Sequence, residues 1–219
     1  MEQLKNLTPE QALIIKKVTE NEFLAENFYF TGGTALGSAY LEHRFSDDLD
    51  FFSFNNFDSL EINSIVSMWA KELDIEFKAR SVGEVYIFEL IFSNGYSLKV
   101  DFVHYPYKQL VEPQKITQLK IDSLKDIASN KFVTLGQRTD VKDFVDLYFL
   151  LKEFAVFELL DWSNIKFKRN YDVLLLASDL TKIERFDYLP RMIKPLDLQK
   201  LKNFYIDLAK KLGVETTVD

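Results

Sequence analysis

Cysteine is absent from this sequence of 219 residues, and histidine occurs only twice, at His43 and His104. The first absence excludes disulfide bonds, thiol nucleophiles and cysteine-ligated zinc. Two histidines are too few for a histidine-based metal cage. Glycine and proline are scarce as well, at 7 and 5 residues, so we expect no long flexible linker.

The sequence also lacks a long uninterrupted hydrophobic run. Its most apolar stretch, residues 141–162, is broken by four charged residues between positions 146 and 158, so it does not predict a membrane span. The opening residues, MEQLKNLTPE, lack the basic-then-apolar layout of a signal peptide. We therefore expect a soluble, cytoplasmic protein without a membrane partner.

Apolar residues make up 47% of the chain and aromatic residues 15%, a composition that excludes a disordered protein. The 34 acidic residues outnumber the 27 basic ones and give a net charge of −7. Such a balance argues against nonspecific nucleic-acid binding, which needs many phosphate contacts. It leaves open a nucleotide or an RNA end that reaches one local site through a metal ion.

Hydrophobic periodicity predicts mixed strands and helices followed by a helical C-terminal part. Asn94-Gly95 indicates a hairpin between two strands. The fold class is therefore α/β (α+β), with one domain over residues 1–118, a helical domain over residues 119–219, and the join near residues 105–120. Strands are predicted at 28–30, 49–54, 74–80, 84–92 and 97–104, and helices from Thr8 to about residue 24 and at 34–43, 60–73, 121–135 and 139–154.

Three aspartates are candidates for metal binding. Asp48 and Asp50 are two residues apart, so on an extended segment they share a face, and two such carboxylates favour a hard cation such as Mg²⁺ or Mn²⁺. Asp101 is an isolated acid in the apolar strand YSLKVDFVHY and could supply a third carboxylate. In the alternative interpretation, Asp47, Asp48 and Asp50 cap a turn, and Asp101 pairs with Lys99 or an arginine.

A glycine pair precedes these acids. Thr31-Gly32-Gly33-Thr34 lies between a predicted strand and a predicted helix, where backbone N–H groups can approach a phosphate. Gly-Gly by itself more often forms only a turn. Its position about fifteen residues before the paired carboxylates favours a site for a nucleotide and a metal ion.

Together these motifs resemble the start of the nucleotidyltransferase superfamily, and in particular the AbiEii/AbiGii toxin family of bacterial abortive-infection, toxin–antitoxin systems. A second block, KDIASNKFVTLGQRTDVKDFVDLYFLL, resembles that family too, and the likeness extends from about residue 28 to 152. The matching residues are Gly32, Gly33, Leu36, Arg44, Ser46, Asp48 and Asp50 in the first block and Lys131, Arg138, Asp143 and Asp146 in the second.

The resemblance implies a polymerase-β-like nucleotidyltransferase core with a mixed sheet, followed by a helical C-terminal part. It implies Mg²⁺-dependent (or Mn²⁺-dependent) transfer of a nucleoside monophosphate from an NTP, and some members of this group modify the 3′ end of tRNA. The implied catalytic residues are Asp48, Asp50, Asp101 and Asp143, of which the first three would also bind metal. The implied nucleotide-binding residues are Gly32, Gly33, Thr34, Arg44, Ser46 and Lys131.

The residues of the second block have a physical interpretation of their own. Asp143 and Asp146 are three residues apart on a helix and share a side. The helix is largely apolar, and buried acids need partners, for which Arg138 and Lys142 are the nearest candidates. A purely structural ion-pair network is the alternative for Arg138 and Asp146. We expect His43 at the surface, because oxygen ligands already suit the metal.

The function expected from the sequence is a metal-dependent nucleotidyltransferase that modifies an RNA, such as the 3′ end of a tRNA, or a protein hydroxyl. It would be the toxin component of a toxin–antitoxin or abortive-infection system, with a cognate antitoxin protein as partner. The alternative is a non-catalytic module that binds an NTP and acts through a protein partner.

Overall fold

The computed structural model describes residues 4–215, which form two compact units. The first unit contains residues 4–40 and 46–123 and includes the sheet. The second contains residues 41–45 together with residues 124–215, and its regular structure is helical. Within residues 4–215, no helix combines the length and the apolar character that crossing a bilayer requires.

The first unit is organised around one mixed sheet. Its strands, within the described residues, are β1 (Tyr29–Thr31), β2 (Leu49–Ser53), β3 (Glu76–Val82), β4 (Val85–Ile91), β5 (Ser97–His104), β6 (Gln114–Ile116) and β7 (Leu119–Ile121). These seven strands lie in the order β3-β4-β5-β2-β1-β7-β6. Strand β2 is central, antiparallel to β1 and parallel to β5.

Alternation along β2 separates the core from the face that carries the acids. Leu49 and Phe51 are fully buried, whereas Asp50 between them is partly exposed. The Phe51 ring lies 5.5 Å from the ring centroids of both Phe30 and Phe102, on the two neighbouring strands. Burying such a row of large apolar side chains fixes the register of the three strands, because a slip of one residue would turn the apolar set outwards.

Short-range signals define the helices of the first unit. Thr8 and Gln11 form a reciprocal capping box at the start of the first helix, and Asp58 caps the fourth through the N–H of Leu60. Asp74 ends that helix in the left-handed conformation. The helices are α1 (Pro9–Glu20), α2 (Glu22–Asn27), α3 (Gly32–Ala35), which continues as a π-helix (Leu36–Leu41), and α4 (Ser59–Leu73).

The second unit is built from helices. They are α5 (Leu124–Gln137), α6 (Val141–Leu150), α7 (Val156–Phe167), α8 (Val173–Leu180), a 3₁₀ turn (Thr181–Arg185) and α9 (Leu198–Glu215). Helix α5 contacts α6, α7 and α8, and α8 contacts α9. Phe144 on α6 lies against Phe186 and Tyr205, and the Tyr205 hydroxyl donates a 2.6 Å hydrogen bond to the Phe144 carbonyl.

The predicted α/β class is confirmed, and the five predicted strands are present with ends shifted by at most two residues. The 34–43 segment is helical but becomes a π-helix after residue 35. Strands β6 and β7 were not predicted, since three-residue strands carry no clear periodicity. The domain boundary was placed between residues 118 and 119, whereas the structure divides after Ser123, because β7 pairs with β1. The structure also assigns residues 41–45 to the helical unit.

Candidate active site

The glycine turn, which we define as residues 31–34 at the junction of β1 and α3, is built around the carboxylate of Asp50. Gly32 has a φ of +74°, and a Cβ placed on it would lie 2.0 Å from Asp50 Oδ2 and 3.0 Å from Asp50 Cβ. Only glycine adopts this backbone without strain and leaves that space free. The Thr34 hydroxyl donates a hydrogen bond to the carbonyl of Asp48. The glycine turn is thus in direct contact with both Asp48 and Asp50 in the first unit.

A buried aspartate that the sequence did not single out holds the start of this turn. Asp122 is fully buried, and its Oδ2 accepts a 2.9 Å hydrogen bond from the Thr31 hydroxyl. Its Oδ1 accepts one of 3.0 Å from Gln109, and its carbonyl accepts one of 2.8 Å from Tyr40. Burial and the Asp122 carboxylate raise the pKa of Tyr40 to about 12. The only sequence signal was an isolated acid directly after the short strand β7.

Two of the three predicted carboxylates lie on neighbouring strands, and the third comes directly before one of these strands. Asp50 and Asp101 are opposite each other in the parallel pair of β2 and β5, and Asp48 precedes β2. Asp101 is 7% exposed, whereas the Asp48 side chain is 43% exposed. The prediction that Asp101 lies near the paired acids is thus confirmed for Asp50. Asp101 is buried there, whereas Asp48 is partly exposed.

Lys99 lies among these acids. Its Nζ is 2.6 Å from Asp101 Oδ2 and 3.8 Å from Asp48 Oδ2. Burial raises the pKa of Asp101, and the ion pair with Lys99 opposes this only in part. Burial would lower the pKa of Lys99, but the surrounding carboxylates outweigh it and raise that pKa. The pairing of Asp101 with Lys99, which the alternative interpretation predicted, is thus present.

The chemistry of these donors fits a hard divalent cation. Carboxylate oxygens are the ligands that Mg²⁺ takes in proteins. Asp101 Oδ1 is buried and has no hydrogen-bond partner within residues 4–215, which is costly for a charged oxygen. The described residues contain no group of three or more His, Asp or Glu side chains already arranged to hold a metal ion. The acids are therefore suitable ligands for such a cation, but the ammonium group of Lys99 lies beside two of them.

The second predicted block forms a buried ion-pair network in the helical unit, centred on Asp146. Asp146 Oδ1 accepts hydrogen bonds from His43 Nε2 at 2.7 Å and Arg44 Nε at 2.6 Å. Its Oδ2 accepts one from Arg44 Nη2 at 2.8 Å and lies 2.7 Å from Lys131 Nζ. The two bonds from Arg44 give the bidentate geometry that makes such pairs strong.

Asp143 extends this network towards the surface. Lys131 Nζ donates to Asp143 Oδ1 at 3.0 Å, and Arg138 donates two hydrogen bonds to the same carboxylate, at 2.7 and 3.0 Å. Asp143 is fully buried, whereas the Arg138 side chain is 59% exposed. Arg138 is thus the partner that the sequence suggested for the acids of α6.

The pKa values in this network follow from a balance between burial and charge. Burial alone would raise the pKa of Asp146, but Lys131 and Arg44 outweigh it and hold that pKa well below its ordinary value. The pKa of Asp143 is lowered in the same way, chiefly by Lys131. Burial would lower the pKa of Lys131, and the two aspartates reverse this and raise it.

The predicted residues therefore fall into two groups. The first unit contains the glycine turn and the three acids. There, the Ser46 carbonyl also accepts a 2.8 Å hydrogen bond from Gln11. The second unit contains Arg44, Lys131 and Asp143, whose observed partners are one another and their neighbours in the network. The nucleotide-binding and catalytic roles given to all of these residues stay predictions.

The expectation that His43 lies at the surface was wrong. His43 is fully buried, with its Nε2 bonded to Asp146 and its ring 5.0 Å from that of Phe149. Burial lowers its pKa. No local pattern predicts this burial, because residues 41–45 pack in a unit whose remaining residues begin at Leu124.

Comparison with known structures finds the same fold in other proteins. JHP933 from Helicobacter pylori superposes with a TM-score of 0.52, 23% identity and coverage of 97% of each chain. MenT4, a nucleotidyltransferase toxin from Mycobacterium tuberculosis H37Rv, superposes with a TM-score of 0.51 and 15% identity over 92% of this chain and 86% of that chain. At such identities the likeness establishes the fold alone.

Sequence comparison then identifies the family. The family described as "Nucleotidyl transferase AbiEii toxin, Type IV TA system" matches residues 16–212. The chain therefore belongs to the AbiEii nucleotidyltransferase toxin family, as the two motif blocks indicated. An uncharacterized protein of Aquifex aeolicus (strain VF5) is 33% identical over 187 residues, which cover 83% of this chain and 85% of that protein.

Proposed function

We propose that this protein transfers a nucleoside monophosphate from an NTP to an acceptor hydroxyl, with Mg²⁺ or Mn²⁺ as cofactor. We further propose that it acts as the toxin of a toxin–antitoxin pair, restrained by a cognate antitoxin protein. The observation that carries the proposal is the assembled site of the first unit, where Gly32 makes room for Asp50 and Asp50 lies opposite Asp101.

The cost of this arrangement supports a catalytic role. Like charges on adjacent strands repel each other, and a buried carboxylate oxygen without a partner is unfavourable. The fold nevertheless keeps Asp101 7% exposed and its Oδ1 without a hydrogen bond within the described residues. A module that only binds an NTP has less need for such a cluster, which makes the non-catalytic alternative the weaker one.

The chemistry proposed for these residues is an in-line displacement at the α-phosphorus. The acceptor oxygen forms the new bond to phosphorus, the bond between the α- and β-phosphates breaks, and pyrophosphate leaves with its electron pair. Asp101 is proposed to take the acceptor proton, because its buried Oδ1 has no hydrogen-bond partner within the described residues. Asp48, Asp50 and Asp101 would hold a divalent cation, which would neutralise phosphate charge and favour ionisation of the acceptor hydroxyl.

The remaining residues are proposed to bind the nucleotide. The backbone of Gly32, Gly33 and Thr34 would approach the triphosphate, as the family resemblance implies. The Thr34 hydroxyl is already bonded to the Asp48 carbonyl, so it would act by keeping the turn beside the acids. In the helical unit, hydrogen bonds and ion pairs join Lys131, Arg44 and Asp143 into one network. We propose that these residues contribute to the site together, as that network.

The test is nucleotide transfer by the purified protein. Each α-³²P-labelled NTP is incubated with Mg²⁺ and either total RNA or lysate protein, and label is followed on denaturing gels. Asp48→Asn removes one proposed ligand charge. Asp47→Asn is the matched control, because it removes a charge from the exposed neighbouring residue.

We expect wild type and Asp47→Asn to transfer label, and Asp48→Asn to lose at least about 99% of the activity. Nuclease or protease sensitivity of the labelled product then identifies the acceptor as RNA or protein. Equal labelling by Asp48→Asn would refute the assignment of the site. NTP binding without transfer to either acceptor would favour the non-catalytic module.

A further inference from the structure

Lys99 has an unusual place in the proposed site. It lies two residues before Asp101 on β5, so both side chains project from the same face of the sheet. Its Nζ contacts Asp101 Oδ2 at 2.6 Å and is 3.8 Å from Asp48 Oδ2. The ammonium group therefore lies between two of the carboxylates that the proposed function assigns to a metal ion.

Lys99 neutralises this site only in part. It bonds to one oxygen of Asp101 and leaves Oδ1, which is buried, without a hydrogen-bond partner in the part of the chain that the structure describes. The Lys99 side chain is 36% exposed, and its four-carbon stem is flexible. The ammonium group can consequently swing towards solvent, while the strand backbone that carries Asp101 stays fixed in the sheet.

We infer that Lys99 is a resident counter-ion, which pairs with Asp101 and Asp48 in the absence of a divalent cation and must leave them for the cation to bind. This inference rests on the proposed function, because it assumes that these carboxylates are the cation ligands. It adds a residue outside the family motifs quoted above, and it predicts competition between the lysine and the cation for the same oxygens.

If Lys99 competes with the cation, its removal has opposite effects on stability and on Mn²⁺ binding. If Lys99 is purely structural, its removal changes both in the same direction. Without metal, Lys99→Met leaves two acids without their counter-ion, so the variant melts at a lower temperature than wild type. With metal, the variant has no ammonium group to displace, so it binds Mn²⁺ more tightly. A lysine that merely positions Asp101 would, when removed, weaken both stability and Mn²⁺ binding.

The experiment measures Mn²⁺ affinity through the EPR signal of free Mn²⁺, and melting temperature in EDTA and in excess Mn²⁺. The variants are Lys99→Met, Lys99→Arg, Asp48→Asn and Lys78→Met. Lys78→Met is the matched control for losing one positive charge, because Lys78 is exposed on β3, two strands away from Asp101. Lys99→Arg keeps the charge and is expected to behave like wild type.

We expect Lys99→Met to melt below Lys78→Met in EDTA, to gain more from Mn²⁺, and to bind Mn²⁺ about fivefold more tightly than wild type. An Mn²⁺ affinity of Lys99→Met equal to or weaker than that of wild type would overturn the inference about Lys99. If Asp48→Asn lost Mn²⁺ binding in the same experiment, the proposed function would still stand. Equal Mn²⁺ binding by wild type and Asp48→Asn would instead remove the proposed metal site itself.

Discussion

Replacing Gly32 with alanine tests whether the glycine turn and Asp50 are as closely fitted as the structure shows. The backbone at Gly32 has a φ of +74°, a left-handed conformation that costs a residue with a Cβ about 1–2 kcal/mol. The new methyl group would meet Asp50 Oδ2 at 2.0 Å, and overpacking of this kind costs about a further 1–3 kcal/mol. Gly32→Ala should therefore lower the free energy of unfolding by about 2–5 kcal/mol.

Gly83 offers a control that separates the two terms. It has a φ of +56°, and a Cβ built on it meets nothing within 4 Å. Gly83→Ala should consequently show only the backbone cost of about 1–2 kcal/mol. Urea denaturation of both variants, followed by circular dichroism, measures the difference, which is the contribution of the contact with Asp50.

A double-mutant cycle makes the same point with Asp50 itself. In an Asp50→Ala background the oxygen and carboxyl carbon are gone, so the added penalty of Gly32→Ala should fall towards that of Gly83→Ala. If Gly32→Ala costs no more than Gly83→Ala in the wild-type background, the close approach of turn and carboxylate is not a feature of the protein in solution.

Two further predictions concern the buried acids. Asp146→Asn leaves Arg44 buried without its partner and should cost about 3–5 kcal/mol at pH 7. The pKa of Asp146 is depressed in the folded protein. The extra stability of wild type over Asp146→Asn is therefore complete above about pH 5 and decreases as the pH falls below about 3.9, the ordinary pKa of an aspartate. Urea titrations between pH 3 and 7 measure this difference in unfolding free energy, and a difference independent of pH would contradict the ion pair. Asp122→Asn removes the charge near Tyr40, so the pKa of Tyr40 should fall below about 12. An ultraviolet titration measures it, with the Tyr40→Phe variant used to subtract the signal of the other tyrosines. An unchanged pKa would show that burial alone raises it.

Local sequence patterns were sufficient for the parts of the fold that local physics determines. Alternation located β2 and β5, and Asn94-Gly95 located the hairpin turn, where Gly95 has a φ of +81°. The same alternation put Asp50 and Asp101 on the face of their strands opposite Phe51 and Phe102, and the observed register places the two acids opposite each other.

The features that escaped prediction depend on contacts between distant segments. Gly32 approaches Asp50 only because β1 pairs with β2. The sequence therefore suggested a phosphate-binding role for this glycine but not its contact with Asp50. The sequence suggested that Lys99 pairs with Asp101, but its approach to Asp48 requires the parallel pairing of β2 with β5. Asp122 is anchored to residues 31 and 40, which are 91 and 82 positions away.

The five-residue segment Leu41–Phe45 limits how this chain can be divided or exchanged. It supplies His43 and Arg44 to Asp146, although it is encoded about a hundred residues before that acid. A fragment beginning at Leu124 would contain every helix of the second unit and still leave the Asp146 carboxylate without two of its partners. Recombination after Ser123 would have the same defect, because the second unit consists of two separate segments of the chain.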